Sequence, residues 1–203
     1  MEHSSSQPMA RPALVLFAAL TVLCGVIYPL AVAGIGNVAF SNQVNGSIVE
    51  RNGKAVGSTL IGQSFSSPQY FWGRPSATGP MPNNAGGSSG ANQGPTNTAL
   101  VDAVKGRVDA LKAADPGNTA PIPVDLVTAS ASGLDPEISV AAARYQVDRV
   151  AKARKLGHDQ VAAIVTAHTE QQQAGFFGEA RVNVLALNLA LDLASAPEPV
   201  HTR

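Results

Sequence analysis

Residues 13–35 read ALVLFAALTVLCGVIYPLAVAGI. As an α-helix this stretch of about 23 residues would run roughly 34 Å at ~1.5 Å per residue, against a hydrocarbon core of about 30 Å. No charged residue occurs between Arg11 and Glu50. The stretch reads as a transmembrane helix, with Tyr28 suited to an interface and Pro29 expected to kink the last turns. A second reading stands beside it. Arg11 can serve as a positive n-region, residues 13–27 as an h-region, and Ala31-Val32-Ala33 as an A-x-A site for cleavage of a signal peptide after Ala33. On either reading the rest of the chain is exported. Basic residues flank both ends (Arg11 on one side, Arg51 and Lys54 on the other), so the charge rule does not orient the helix. The short leading segment favours an outward C-terminal part. The expected organisation is a cytoplasmic tail over 1–12, the span over 13–35, an α+β (mixed α/β) extracytoplasmic domain over 41–195 and a flexible tail over 196–203.

The length of 203 residues suits one core-bearing domain plus an anchor. Fourteen basic and 14 acidic residues leave no net charge, so the cationic surface of a nucleic-acid binder is missing. Cys24 is the single cysteine, which excludes an intrachain disulfide and a cysteine-based zinc site.

Beyond the apolar stretch, Ser47-Ile48-Val49-Glu50 and Thr59-Leu60-Ile61 are short strand-like runs, with a hairpin turn expected at Asn52-Gly53. Residues 76–98 (SATGPMPNNAGGSSGANQGPTNT) form an uncharged polar loop of about 23 residues, far longer than the usual ~4–6. Such a loop is either a functional element or a floppy insertion. Leu100, Val104, Val108 and Leu111 predict a helix over 99–114, capped by Asn97 or Thr98. Residues 121–131 read as a strand through Val124, Leu126 and Val127. Ser139 is expected to cap a helix over 140–156 whose outer face carries Arg144, Arg149, Lys152, Arg154 and Lys155, with Gly157 ending it. A short helix over 159–171 and a turn around Phe176-Phe177 follow. The final leucine-rich segment fits strand or helix spacing. Its lack of β-branched residues after Val184 decides for a helix capped by Asn183.

No catalytic constellation or metal-ligand spacing is present. Gly86-Gly87-Ser88-Ser89-Gly90 lacks the lysine of a phosphate loop, and Ala129-Ser130-Ala131-Ser132-Gly133 is not G-x-S-x-G. A hydrolase using Ser130 or Ser132 with His168 is the remaining catalytic possibility; a histidine at the end of a helix is more often structural. The sharpest cluster is Tyr70, Phe71 and Trp72 directly before Gly73-Arg74-Pro75-Ser76-Ala77. It is either a satellite core under the loop or an aromatic-plus-arginine contact surface. The partner-contact candidates are Tyr70, Phe71, Trp72 and Arg74, with Ser88 and Asn92 from the loop.

GRPSA at 73–77, GGS at 86–88, PVDLVTASASGLD at 123–135, RVAKAR at 149–154, and RVNVL with NLALD at 181–192 resemble the C-subunit family of the Kdp-type potassium-transporting P-type ATPase. Arg11-Pro12-Ala13-Leu14 and Tyr28-Pro29-Leu30 match as well. The similarity runs from about residue 11 to 193. It implies a retained single-pass anchor in the inner (plasma) membrane, in contact with lipid, and a periplasmic or extracellular domain. It also implies a non-catalytic subunit that assembles with a channel-like A subunit, a P-type ATPase B subunit and a small F subunit to import potassium. The family is described as a catalytic chaperone that raises the ATP affinity of the B subunit. ATP is therefore the cofactor of the complex; direct contact with this chain is disfavoured, because ATP binds on the cytoplasmic side and only the segment before Pro12 could reach it. The resemblance names no cofactor-binding residue.

Overall fold

The structure is a computed structural model that describes residues 9–195; the expected tail over 196–203 and residues 1–8 lie outside the described residues. The chain divides into two compact units at Ser47/Ile48.

The first unit is helical. It comprises α1 (Ala10–Val22), a π-helical turn (Leu23–Ile27), α2 (Tyr28–Ala39) and the short α3 (Ser41–Val44). Ala10–Ala39 forms one run of 30 residues, apolar enough and long enough to cross a membrane, with none of its most apolar window buried. Pro29 has no N–H to donate back to the helix. The expected disturbance lies ahead of the proline rather than after it: Tyr28 donates its N–H to the Leu23 carbonyl, widening one turn, and α2 then continues to Ala39.

The second unit is α+β. The hairpin expected at Asn52-Gly53 is present as β1 (Ile48–Arg51) and β2 (Lys54–Ser58). Asn52 and Gly53 both take positive φ, 52° and 72°, the backbone a tight two-residue hairpin turn demands. The Thr59-Leu60-Ile61 run is not a strand; it turns, with Ile61 N–H bonded to the Ser58 carbonyl. α4 (Thr98–Ala114) is capped by the Asn97 side chain, which accepts from Ala99 N–H. The expected strand over 121–131 is instead a single 3-10 turn (Val124–Leu126). Pro121 and Pro123 have no N–H for a ladder, and Asp125 is committed elsewhere: it accepts from both the backbone N–H and the hydroxyl of Ser139, at 2.7 and 3.2 Å.

Two short segments of like pattern follow. β3 (Glu137–Ser139) runs straight into α5 (Val140–Tyr145) through the Ser139 cap, whose Oγ accepts from Ala142 N–H. After α6 (Val147–Arg154), α7 (His158–Ala167) and β4 (Thr169–Glu170), β5 (Arg181–Asn183) runs into α8 (Val184–Ala194) through the Asn183 cap, which accepts from Ala186 N–H. In each case the strand reads charged, buried apolar, capping residue. The strands pair antiparallel in the order β3-β5-β4, and α5, α6, α7 and α8 bury their apolar faces around Ile138, Val150, Val161, Val165, Val182, Leu187 and Leu191.

The expected single helix over 140–156 is divided at Gln146. There the N–H of Gln146 bonds the Ala143 carbonyl three residues back, tightening the turn between α5 and α6. Its side chain is held elsewhere. Gln146 Oε1 accepts from Trp72 N–H at 2.8 Å and Nε2 donates to the Trp72 carbonyl at 3.1 Å. From α8, buried Asn188 does the same to Phe71, at 2.8 and 3.0 Å. Two side-chain amides thus play the part of a neighbouring strand for two consecutive residues. The left-handed end of α6 falls on Lys155 (φ 58°), not on Gly157, which precedes α7 with an extended backbone.

Replacing Asn188 with Leu keeps the shape and removes both bonds to Phe71. With a donor and an acceptor left unpaired in the core, we predict a loss of about 2–4 kcal/mol, read from urea unfolding of the full chain in detergent. A loss below about 0.5 kcal/mol would mean that the Phe71 backbone finds other partners and that the pairing is dispensable.

Candidate functional site

The aromatic cluster is built into the second unit rather than laid on it. Phe71 is fully buried and its side chain presents no surface. Trp72 is half-buried, donates Nε1–H to the Ser67 carbonyl and lies 4.5 Å under the Arg149 guanidinium. The Tyr70 ring lies 5.2 Å from Phe65 and 4.7 Å from the Arg154 guanidinium. Arg149 and Arg154, expected on an outer face, face inward. Arg149 is 4% exposed and donates to the carbonyls of Pro68 and Tyr70 and to Gln146 Oε1. Burial pulls its pKa down to about 10, partly offset by Asp115, so it stays charged at neutral pH. Arg154 bonds the Gln69 carbonyl and pairs with Asp192, a carboxylate shared with Arg51 of the hairpin. The helix pattern counted these arginines as solvated; the carbonyls of 68–70 and the aromatic faces supply what water would have supplied.

The loop over 76–98 is laced down. Arg74 pairs with Asp135 at 3.0 Å. Ser76 Oγ donates to the Gly133 carbonyl at 2.6 Å and accepts from Asn83 N–H. Thr78 Oγ1 donates to the Met81 carbonyl and accepts from Asn84 N–H. Ser89 N–H and Ser88 Oγ both bond the Ser132 carbonyl at 3.0 Å. The two most distinctive stretches of the sequence, 73–77 and 127–135, are therefore one structure. Ser88 and Asn92 stand exposed on its rim, Asn92 with φ 50°. Tyr70 and Phe71 pack against α6 and α8, while Trp72 lies under Arg149 of α6 and shares a cavity wall with Arg74.

Ser130 Oγ accepts from Gly133 N–H, Ser132 Oγ accepts from Leu134 N–H, and His168 Nδ1 lies 2.9 Å from the Ile164 carbonyl. The serine hydroxyls shape a turn, and neither hydrogen-bonds to His168. Arg181 begins β5 and bridges Glu137 and Glu170; its hydrogen bond to Glu137 raises its pKa.

One residue escaped the sequence reading. Arg107 on α4 lies three residues after Val104 and four before Leu111, on the buried stripe of that helix. An arginine on an apolar face was the available signal. It donates from Nη1 to the Val127 carbonyl at 2.7 Å, and burial lowers its pKa. It lines two cavities. One, of about 460 Å³, also has Phe65, Trp72, Arg74 and Leu126 in its walls. The other, of about 690 Å³, runs along residues 90–94 and 128–131.

Fold and site together define a class: an α+β domain preceded, among the described residues, by one helix apolar and long enough to cross a membrane. Comparison with known proteins narrows it. The chain matches the family described as K+-transporting ATPase, c chain, over residues 10–193. It is 71% identical over 182 residues to the potassium-transporting ATPase KdpC subunit of Herminiimonas arsenicoxydans, covering 90% of this chain and 96% of that one. It is 70% identical, with the same coverage, to the subunit of that name in Janthinobacterium sp. (strain Marseille). The corresponding Dechloromonas aromatica subunit is 63% identical over 187 residues, 92% of this chain and 98% of its own. The chain belongs to the KdpC family of potassium-transporting ATPase subunits.

Gly133 holds the lacing. Its φ is +67°, and a Cβ there would stand 2.6 Å from Thr78 Cγ2 and 2.7 Å from the Ser89 carbonyl. Gly133→Ala is expected to free the loop, giving faster protease cleavage within 76–98 while helix content is kept. Gly94→Ala, where a Cβ meets nothing within 4 Å, is the control. Equal cleavage of the two variants would dispose of the lacing.

Proposed function

We propose that this chain is the accessory, non-catalytic subunit of an ATP-driven, high-affinity potassium import complex. Its N-terminal helix is retained as a single-pass anchor in the inner membrane, and its α+β domain lies on the periplasmic or outer side. The observation that carries this reading is that the family match starts at residue 10 and runs through the apolar helix into the domain. A helix that belongs to the family's shared architecture supports retention over cleavage after Ala33. The partners are the channel-like A subunit, the P-type B subunit and the small F subunit that the resemblance implies. ATP is bound by the B subunit, whose affinity this chain raises through assembly rather than by touching the nucleotide.

The non-catalytic reading is supported by how the polar groups of the domain are spent. The carboxylates of Asp125, Asp135, Glu137 and Asp192 are committed to capping or to arginine pairs, and the serines of the 129–133 turn bond backbone amides. Among the surfaces the domain offers outward is the uncharged rim of the 76–98 loop, with Ser88 and Asn92. That rim, ordered before contact, docks on the outer face of the A subunit. An interface formed by an already ordered loop avoids much of the entropy of ordering it on binding.

The test is isolation from detergent-solubilised membranes through a tag at Arg203, with partners identified by mass. The other ATPase subunits are expected in the isolate. Deleting 84–94, or replacing Asn92 with Arg, is expected to lower their recovery and to slow growth on micromolar potassium. A shortened chain recovered alone from the soluble exported fraction would sink the anchor reading. Full recovery and growth with both variants would sink the docking role of the loop.

A further inference from the structure

The two cavities that meet at Arg107 have an unusual charge balance. Among the described residues, Arg74 and Arg107 are the only charged ones lining either of them, and no acidic side chain lines either one. Arg74 is already matched by Asp135 at 3.0 Å. Arg107 has no ion pair among the described residues; its single hydrogen bond goes from Nη1 to the Val127 carbonyl. A guanidinium carries five N–H donors in a planar fork, so most of those on Arg107 remain available. The Arg74 Nε–H, in the same wall, is buried with no hydrogen-bond partner. A half-buried cation with neither counter-charge nor full hydration is costly unless something supplies both. Burial lowers its pKa, and no neighbouring group is seen to counter this.

The rest of the smaller cavity is mainly apolar, with Phe65, Trp72, Pro75, Leu111 and Leu126 in its walls. Its volume of about 460 Å³ is that of a small-molecule or side-chain pocket. One net positive charge calls for one negative charge. A phosphate dianion would bring a second charge that nothing in these walls offsets, and a neutral apolar group would leave the guanidinium unpaired. A carboxylate accepts two parallel N–H bonds from the arginine fork, and an apolar or aromatic body attached to it would fill the space beside Trp72.

We propose that the cavity at Arg107 is a binding site for a monocarboxylate with an apolar body. The Arg107 guanidinium holds the carboxylate, and Phe65 and Trp72 hold the body. The carboxylate can come from a free organic acid or from an acidic side chain next to an apolar one on a partner subunit. The site itself stands without the assembly role proposed above; only the second source depends on it.

Trp72 is the chain's only tryptophan, so its fluorescence reports on the pocket directly. The full chain in detergent is titrated with 3-phenylpropionate and, separately, with 3-phenylpropanol, its neutral counterpart. A saturable change is expected with the acid, and at least about tenfold weaker binding with the alcohol. Arg107→Gln should weaken the acid by a similar factor, with Arg107→Lys retaining part of the affinity. Comparable binding of alcohol and acid by the unaltered chain, no saturable response to the acid, or displacement of the acid by equimolar inorganic phosphate would each overturn the site. Equilibrium dialysis of labelled 3-phenylpropionate against the chain alone and against the assembled complex separates the sources. Binding to both points to a free acid; binding to the chain alone points to a partner's carboxylate already in place.

Discussion

The second unit depends on two buried amides. Gln146 sits between two helices and Asn188 within a third, and each makes a matched pair of hydrogen bonds to one residue of the Phe71-Trp72 backbone. An extended backbone cannot enter a helical core unless its N–H and C=O groups are satisfied there, because each one left unpaired in a dry interior is costly. Once the amides satisfy them, Phe71 fills the centre of the core, and the carbonyls of residues 68–70 are presented to Arg149 and Arg154. The arginines in turn lie over Trp72 and Tyr70, a contact worth about 2 kcal/mol where water is excluded.

The segment that follows Trp72 starts from that anchorage. Gly73 and Arg74 leave the core aimed at Asp135, and from there the long loop is tied hydroxyl by hydroxyl to the 129–135 turn. Serine and threonine serve here as short two-way connectors: Ser76 accepts from the backbone amides of Thr78 and Asn83, Thr78 accepts from that of Asn84, and each donates to one carbonyl. A loop held in this way carries no charge and few apolar side chains, yet it is ordered. The same lacing forms the walls around Arg107, so the rim proposed for docking and the proposed carboxylate pocket share one scaffold.

Charge follows the same economy. The chain carries equal numbers of acids and bases, and in the α+β unit many of them meet across elements: Arg51 and Arg154 at Asp192, Arg181 between Glu137 and Glu170, Arg74 at Asp135. These pairs join hairpin to helix, strand to strand and loop to turn. Among the described residues Arg107 and Arg149 have no carboxylate within ion-pair distance; three oxygens, two of them backbone carbonyls, meet Arg149, and one meets Arg107.

What could be read from the chain alone was what is decided over a few residues: the apolar span, the Asn52-Gly53 turn, and the caps at Asn97, Ser139 and Asn183. A cap or a turn depends on the chemistry of one side chain and the backbone beside it, so it survives without knowledge of the fold. Strands of two or three residues have no period to detect, and the sheet of β3, β5 and β4 exists only because distant segments are brought together. Helix periodicity placed Arg149 in water because it treats every charge as solvated. Only the tertiary structure could offer Arg149 buried carbonyls and an indole face, divide a helix at Gln146, and turn two separate serine-rich stretches into one laced surface. Each of these outcomes rests on partners dozens of residues away, and no local pattern carries that information.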